Sequence, residues 1–583
     1  MPHGSRCTGL YEHDDRTGAT VASVERESGL KTIKIGLCGL IFAVVSAWVM
    51  MLYVQGPLNG DFDKHLMVAK NWGIPAQLQE RGIRPLYLDK GNNGWDGQFY
   101  FYMANDLLAR KDTAEHIDAD AYRYQRIGIP LLAKGISLLL GQDWVSPRVF
   151  YGTQALLIFL ATLIAAAFFT QKGMSPFWIL PWSLAAGTQI TLLNGLPDGG
   201  ADALMIMALI CAYRGRYAFY AILVALACLS REAYVMLPAI LFAISAWVFV
   251  TRPQMRMRLQ HYFWLALPGL VFVAWQGFIR MRFVHTPAEQ SGKVLGLPLV
   301  RALELLVGGL QGQYPGMQQG ASSYLSGIGI LLFLMLMAIV LIVAFSIRMP
   351  GKPAEKDYFA LGVKLFVLLT SALYLCFGDT VMWNFTGYMK AADLLIFMVP
   401  FMVAIGAARM SRPLVIPLFC AVTVFFGWQA LQLRVLGSPI VYKLGVTCGL
   451  TAFAEDMGCK EKFVWLGREL PSLSGRVTGN DRVASEQDAA GILTFGPYIQ
   501  LPPGHYRITL SYSASGDHPG YMDVTASDGK GGSRMLQKVT LTAQEKGQQQ
   551  LLLDLPEVAD GVEIRVYHDK GELAVHAMSV AKE

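Results

Sequence analysis

Two aspartates begin matching patterns in the first hundred residues. Asp61 is followed by His65 and Ala69, and Asp96 by Tyr100 and Ala104. On a helix, positions four apart share a face, so each acid would stand beside an aromatic ring. An Asp at a helix start is also a good N-cap, and for a single Asp that is the commoner role. Asp96 asks for more than a cap. The run Trp95-Asp96-Gly97-Gln98-Phe99-Tyr100 gathers three rings around one carboxylate. Belts of aromatics at a membrane surface explain rings, but they do not explain the acid. A carboxylate held in this way can take a proton from a hydroxyl.

The cations come next. Ala121-Tyr122-Arg123-Tyr124-Gln125-Arg126 sets two arginines among tyrosines, which suits a phosphate or a carboxylate. Snorkelling to lipid headgroups is the plainer use of each arginine. Asp198 and Asp202 add two acids, Arg231-Glu232 a second charged point, and Lys390 with Asp393 a third. Each set could be a structural ion pair. Charge near or within apolar spans is costly, however, and usually faces a cavity. There is no Walker loop, zinc spacing or Ser–His–Asp motif. No cofactor is required by this set; Asp198 and Asp202 are the acids that could hold a divalent metal.

The elements that position these residues are membrane helices. The 583 residues are 53% hydrophobic and only 16% charged, against about 25% charged in soluble domains. A bilayer core about 30 Å thick needs roughly 20 apolar residues per helix. Runs that meet or approach this are 33–54, 149–170, 175–193, 199–213, 217–229, 233–250, 262–279, 324–347, 361–378, 393–408 and 413–431, giving about eleven transmembrane helices. Alternate connections are basic: Lys31 and Lys34, Lys172, Arg214 with Arg216, Arg252 with Arg256 and Arg258, Arg348 with Lys352 and Lys356, Arg409 with Arg412. The positive-inside rule then places the N-terminus in the cytoplasm. The run 217–250 is read as two short spans with Arg231 and Glu232 at the outer tip, because one span would put Arg252, Arg256 and Arg258 outside. The net charge of +6 is an orientation signal rather than a nucleic-acid footprint.

This topology makes residues 1–32 a cytoplasmic tail and 33–433 a multi-pass domain of the cytoplasmic (inner) membrane. Its long outside loops are 55–148 and 280–323. Residues 434–583 form an extracytoplasmic all-β domain, because alternating segments such as His505–Tyr512 and Val562–Tyr567 are separated by Gly/Pro turns. That spacing fits a sandwich or jelly roll. Cys38, Cys211, Cys228, Cys376 and Cys420 lie in apolar runs and read as small buried hydrophobes. Cys448 and Cys459 are the two on the outside, where an oxidising compartment would pair them as a disulfide.

Three stretches together resemble the GT-C superfamily of membrane glycosyltransferases: Gly94 to Tyr100, Ala121 to Ile127 with Pro130-Leu131-Leu132-Ala133, and Leu229-Ser230-Arg231-Glu232. Leu196-Pro197-Asp198 is a weaker fourth, with Asp where the family often has Glu, and Arg231 stands where it often has Lys. The nearest likeness is a bacterial branch that builds cell-surface glycopolymers, and arabinosyltransferases share the plan. The resemblance implies sugar transfer from a polyprenyl-phosphate carrier to an acceptor hydroxyl of a glycan or protein, with inversion. Arabinofuranose is one candidate sugar. It implies a catalytic acid at Asp96, Asp61 or Asp198, taken in that order, with donor phosphate held by Arg123, Arg126, Arg231 and Lys390. Trp95, Gln98, Tyr100, Tyr124 and Glu232 would line the substrates. Relatives also carry a carbohydrate-binding-like C-terminal β domain. Two rivals share many of these features. A flippase for lipid-linked sugars usually shows internal repeats, which are absent here. A glycan polymerase or ligase would use lipid-diphosphate donors.

Overall fold

The structure is a computed structural model. It describes residues 16–54, 62–69, 71–83, 85–88, 94–255, 257–292, 294–313, 321–346, 354–382, 385–405, 462–501, 503–527, 533–557 and 559–583. Asp61, Cys448, Cys459 and the run 413–431 lie outside the described residues.

Among the described residues, seven helices are long and apolar enough to cross a membrane: Gly29–Met51, Pro147–Gln171, Glu232–Thr251, Leu259–Arg282, Gly327–Ser346, Lys356–Leu375 and Gly387–Ala404. They match seven of the eleven expected spans. Three others are shorter than hydropathy implied. Asp198–Tyr213 has 16 residues and Tyr217–Cys228 has 12. At 1.5 Å per residue these are about 24 and 18 Å long, short of a bilayer core. The run 175–193 is broken into Pro176–Ile179, Leu180–Ser183 and Ala186–Asn194. Side chains close that break: Thr188 Oγ1 donates to the Trp182 carbonyl (2.9 Å) and Gln189 Nε2 to the Ser183 carbonyl (2.9 Å).

Short helices survive here because they are central. Every residue from Gly195 to Ile210 is buried. A helix that is apolar on all sides belongs inside a bundle, and Asp198–Tyr213 packs against Pro147–Gln171, Tyr217–Cys228 and Gly387–Ala404. The two halves of the 217–250 run separate as expected. Tyr217–Cys228 packs on Asp198–Tyr213 and Leu259–Arg282, while Met236–Thr251 packs on Leu259–Arg282 and Glu355–Leu375. Arg231 between them is buried rather than at an exposed tip.

The segment between the first two long helices folds against this bundle. Met67–Ala69 pairs in parallel with Leu86–Leu88. The Trp95 amide donates to the Met67 carbonyl (3.1 Å), and the Ala69 amide to Gln98 Oε1 (3.1 Å). The Gly97–Asn105 helix begins so close to the bundle that a Cβ on Gly97 would lie 1.9 Å from the Asn194 carbonyl oxygen. Only glycine permits that approach, which brings Asp96 beside the turn leading into Asp198.

Residues 462–582 form two antiparallel sheets. In one, Ser533–Thr540, Gly520–Ser527 and Ala559–His568 are neighbours in that order, with Gly491–Thr494 and Pro497–Leu501 both pairing with Ala559–His568. In the other, the order is Gln544–Leu555, Gly504–Ser515, Glu572–Lys582, Asp481–Ala484 and Arg476–Thr478, with Lys462–Leu466 also on Glu572–Lys582. Alternation sets the core: Tyr506, Ile508, Leu510 and Tyr512 are buried, with Met522 and Val524 from the other sheet. Each such side chain contributes about 1.5–3 kcal/mol by leaving water. Gly491–Thr494 and Pro497–Leu501 are separated at Gly496, whose φ of +101° is open to glycine. Ser533–Thr540 escaped notice in the sequence because its side chains are exposed or half-buried along its length, so it has no apolar alternation.

Candidate functional site

Asp96 occupies the N-cap position of Gly97–Asn105, yet its side chain makes no capping hydrogen bond. The carboxylate turns to Arg123. Arg123 Nη1 donates to Asp96 Oδ2 (2.8 Å) and Nη2 to Oδ1 (3.1 Å), while Nε and Nη2 also grip Asp118 at 2.9 and 2.8 Å. One guanidinium therefore forks between two carboxylates, the geometry that favours arginine over lysine. Burial pushes the Asp96 carboxyl up, but the charges of Arg123 and then Lys390 outweigh it and hold the group below the usual carboxylate range.

Arg126, one turn on, makes a second fork. Its Nε and Nη2 donate to Glu232 at 2.9 and 2.7 Å, and Nη2 also donates to the Tyr122 hydroxyl (2.8 Å). The guanidinium lies 4.8 Å from the centre of the Tyr122 ring. The turn that carries Glu232 is docked in place by the Gly128 amide, which donates to the Leu229 carbonyl (2.8 Å).

Arg231 forms the deepest point. It donates to the Ala391 carbonyl (3.0 Å) and to the Tyr234 hydroxyl (3.2 Å), and it lies 3.5 Å from Asp202 and 4.0 Å from Asp198. The Tyr234 hydroxyl donates in turn to Asp202. Asp202 is fully buried by this arrangement. Asp198 is held more loosely: among the described residues, Arg231 at 4.0 Å is its only side-chain ion-pair partner. Both acids face Arg231.

Lys390, on the Phe385–Ala404 helix, is half-buried and has no hydrogen-bond or ion-pair partner among the described residues. Its charge is nevertheless felt at Asp96 and at Asp198. Three residues away, Asp393 accepts from Thr188 Oγ1 (3.2 Å) and packs against Gly187.

The expected residues therefore converge in large part. Asp96, Arg123, Arg126, Glu232, Arg231, Asp198 and Lys390 come from five separate stretches of chain and form one charged cluster. Others have a packing role. Tyr124 is fully buried with its hydroxyl on the Asp106 carbonyl (2.8 Å), and Gln98 is spent on the Ala69 amide. Tyr100 is buried beneath Arg123, 6.0 Å from its guanidinium carbon. Trp95 meets the His65 ring edge-on at 6.2 Å, so the segment just after Asp61 adjoins the one bearing Asp96. Sequence reading missed Asp118, Tyr234 and Tyr374. Asp118 lies five residues before Arg123, and that proximity was the available signal. The two tyrosines, whose rings lie 5.2 and 5.8 Å from the Arg231 guanidinium, left none.

No protein-family model matches the chain, and no curated protein matches it. Among solved structures, it is similar to the C-terminal CBM6 of LamC from Zobellia galactanivorans, at 10% identity and a TM-score of 0.17, over 21% of this chain and 99% of that one. It is similar to the carbohydrate binding module CBM6cm-2 from Cellvibrio mixtus lichenase 5A, at 13% identity and 0.16, over 21% and 97%. It is also similar to the arabinosyltransferase EmbB from Mycobacterium smegmatis, at 12% identity and 0.20, over 84% of this chain and 63% of that one. The chain thus spans a little under two thirds of the EmbB chain. Identities and TM-scores this low leave the function to be argued from the residues.

Proposed function

We propose that the chain is a glycosyltransferase that moves a sugar from a polyprenyl-phosphate carrier to an acceptor hydroxyl of a glycan or protein, on the outer face of the cytoplasmic membrane. The observation that carries this reading is Lys390. The three arginines of the cluster already face carboxylates: Arg123 has Asp96 and Asp118, Arg126 has Glu232, and Arg231 has Asp198 and Asp202. Among the described residues of the cluster, Lys390 is the cation left over, beside two ionisable acids and among apolar helices. A lipid phosphate supplies the missing anion, and its tail would lie between the helices.

In this scheme the acceptor oxygen loses its proton to a carboxylate and forms the bond to the anomeric carbon. The bond from that carbon to the phosphate oxygen breaks, and its electron pair leaves with the phosphate, stabilised by Lys390. A single displacement inverts the anomeric centre. Asp198 is the better base than Asp96, on geometry. Both Asp96 oxygens already accept from Arg123, whereas the Asp198 carboxylate faces Arg231 only at 4.0 Å. Asp61 remains a candidate for the same role. Arg123, Arg126 and Arg231 then position the acids. Arabinofuranose is a candidate sugar.

Lys390→Met is expected to weaken donor use by roughly tenfold or more, the value of a charge-assisted contact. Stability should fall far less than on loss of Arg231, because Lys390 leaves no hydrogen-bond partner orphaned and acts on Asp96 and Asp198 only through its charge. Steady-state kinetics at varied donor concentration reads the first, and the unfolding midpoint in detergent the second. Unchanged donor use would remove Lys390 from the site. The activity itself is tested by offering purified protein the same sugar on monophosphate and on diphosphate carriers. Turnover of the monophosphate is expected; turnover of the diphosphate alone would favour a polymerase or ligase.

Orientation has its own test. With native cysteines replaced, Leu473→Cys in the β region should react with an impermeant maleimide on intact cells. Gln254→Cys, in the basic connection, should react only after permeabilisation. The reverse pattern would invert the scheme.

A further inference from the structure

A polar cavity lies apart from the charged cluster, in the segment between the first two long helices. Its volume is about 180 Å³, and its walls include Gln77, Glu80, Arg81, Lys111, Asp143 and Trp144. One water needs only about 10–15 Å³, so the space has room for more than one; Glu80, Arg81, Lys111 and Asp143 are exposed, and it opens to solvent. Several of the wall residues are tied together by hydrogen bonds. Arg81 donates to Asp143 (2.5 Å) and lies 5.9 Å from the centre of the Trp144 ring. Lys111 donates to Gln77 Oε1 (2.6 Å), and Gln77 Nε2 donates to Thr113 Oγ1 (3.2 Å).

The charges decide the ligand class. Arg81 and Lys111 are matched by Glu80 and Asp143. Arg81 is engaged by Asp143 and Lys111 by Gln77, so neither cation is left over to meet a phosphate or carboxylate. What suits a balanced set of donors and acceptors with one flat ring is a neutral molecule bearing many hydroxyls and one apolar face. A sugar unit has both features.

The position suits the cluster as well. Asn105 also lines the cavity, and it ends the nine-residue helix whose N-cap is Asp96. Nine residues at 1.5 Å each put the two ends roughly 13 Å apart. We propose that this cavity is a saccharide-binding subsite that holds a neutral sugar unit of the acceptor, one helix length from the acids. The assignment to the acceptor rests on the glycosyltransferase reading; the sugar binding does not.

The test uses the purified full chain in detergent with no lipid donor present. Methyl glycosides of arabinofuranose, mannose, glucose and N-acetylglucosamine are titrated by calorimetry and saturation-transfer NMR, with inorganic phosphate as the anionic competitor. At least one glycoside is expected to bind. Trp144→Ala and Gln77→Ala should each weaken it about tenfold, as loss of a ring face or of a hydrogen-bonded wall would. Trp144→Phe should keep most of the affinity, and phosphate should not compete. The proposal is overturned if no glycoside binds, if both alanine variants bind normally, or if phosphate displaces the sugar. A protein that turns over the lipid donor but fails here loses the subsite alone. One that binds glycosides through these residues but transfers nothing loses the enzyme reading alone.

Discussion

Asp198→Asn is expected to lower turnover by about 10²–10⁴-fold, the usual value of general-base catalysis, while the protein stays folded. The substitution keeps the shape of the side chain and removes its charge. Arg231 is not orphaned, because it retains Asp202, Tyr234 and the Ala391 carbonyl. An asparagine is also an acceptable residue at a helix start. Donor affinity should change little, since the acid meets the acceptor hydroxyl. Asp96→Asn should act differently. It loosens the Arg123 fork, which still holds Asp118, so its loss should come through misplacement and be smaller. Asp61→Asn completes the series. If Asp198→Asn turns over normally while Asp96→Asn or Asp61→Asn is inactive, the base is that other acid. If all three are active, the enzyme reading fails and a transporter of lipid-linked sugars returns.

Arg231→Met is expected to destabilise the protein by about 3–5 kcal/mol, the cost of removing one member of a buried ion pair. The side chains left behind are those of Asp202 and Asp198, which are only 1% and 10% exposed. The Ala391 carbonyl also loses its donor. The effect should be read as a large fall in the unfolding midpoint of the purified protein, alongside whatever activity remains. The contrast with Lys390→Met is the useful part. Two cations of one cluster should separate cleanly, one needed for folding and the other for donor use. A Tm for Arg231→Met equal to that of wild type would mean that Arg231 is not the keystone of the buried network.

The charged residues were legible in the sequence because their types are out of place among apolar runs. Their roles were not legible, because pairing is set by tertiary structure. Asp96 meets Arg123 across 27 residues, Arg126 meets Glu232 across 106, and Arg231 meets Ala391 across 160. Which cation ends without a partner depends on all of these contacts together, and no local pattern encodes it. The same holds for the helices. Hydropathy registers the run 175–193 as one span, but it cannot see Thr188 and Gln189 closing a chain break with their side chains. The β region was easier. Alternation in Gly504–Ser515 reports directly on which residues face the core, whereas among the described strands Arg476–Thr478 is short and Ser533–Thr540 is exposed or half-buried throughout.

The most direct measurement is a cryo-electron-microscopy map of the full chain with a polyprenyl-phosphate sugar bound. A phosphate oxygen is expected about 3 Å from Lys390 Nζ, the distance of a charge-assisted hydrogen bond. The sugar should lie between that phosphate and the Asp96–Asp198 end of the cluster. A lipid phosphate bound on another surface of the helices, with Lys390 still unpartnered, would contradict it.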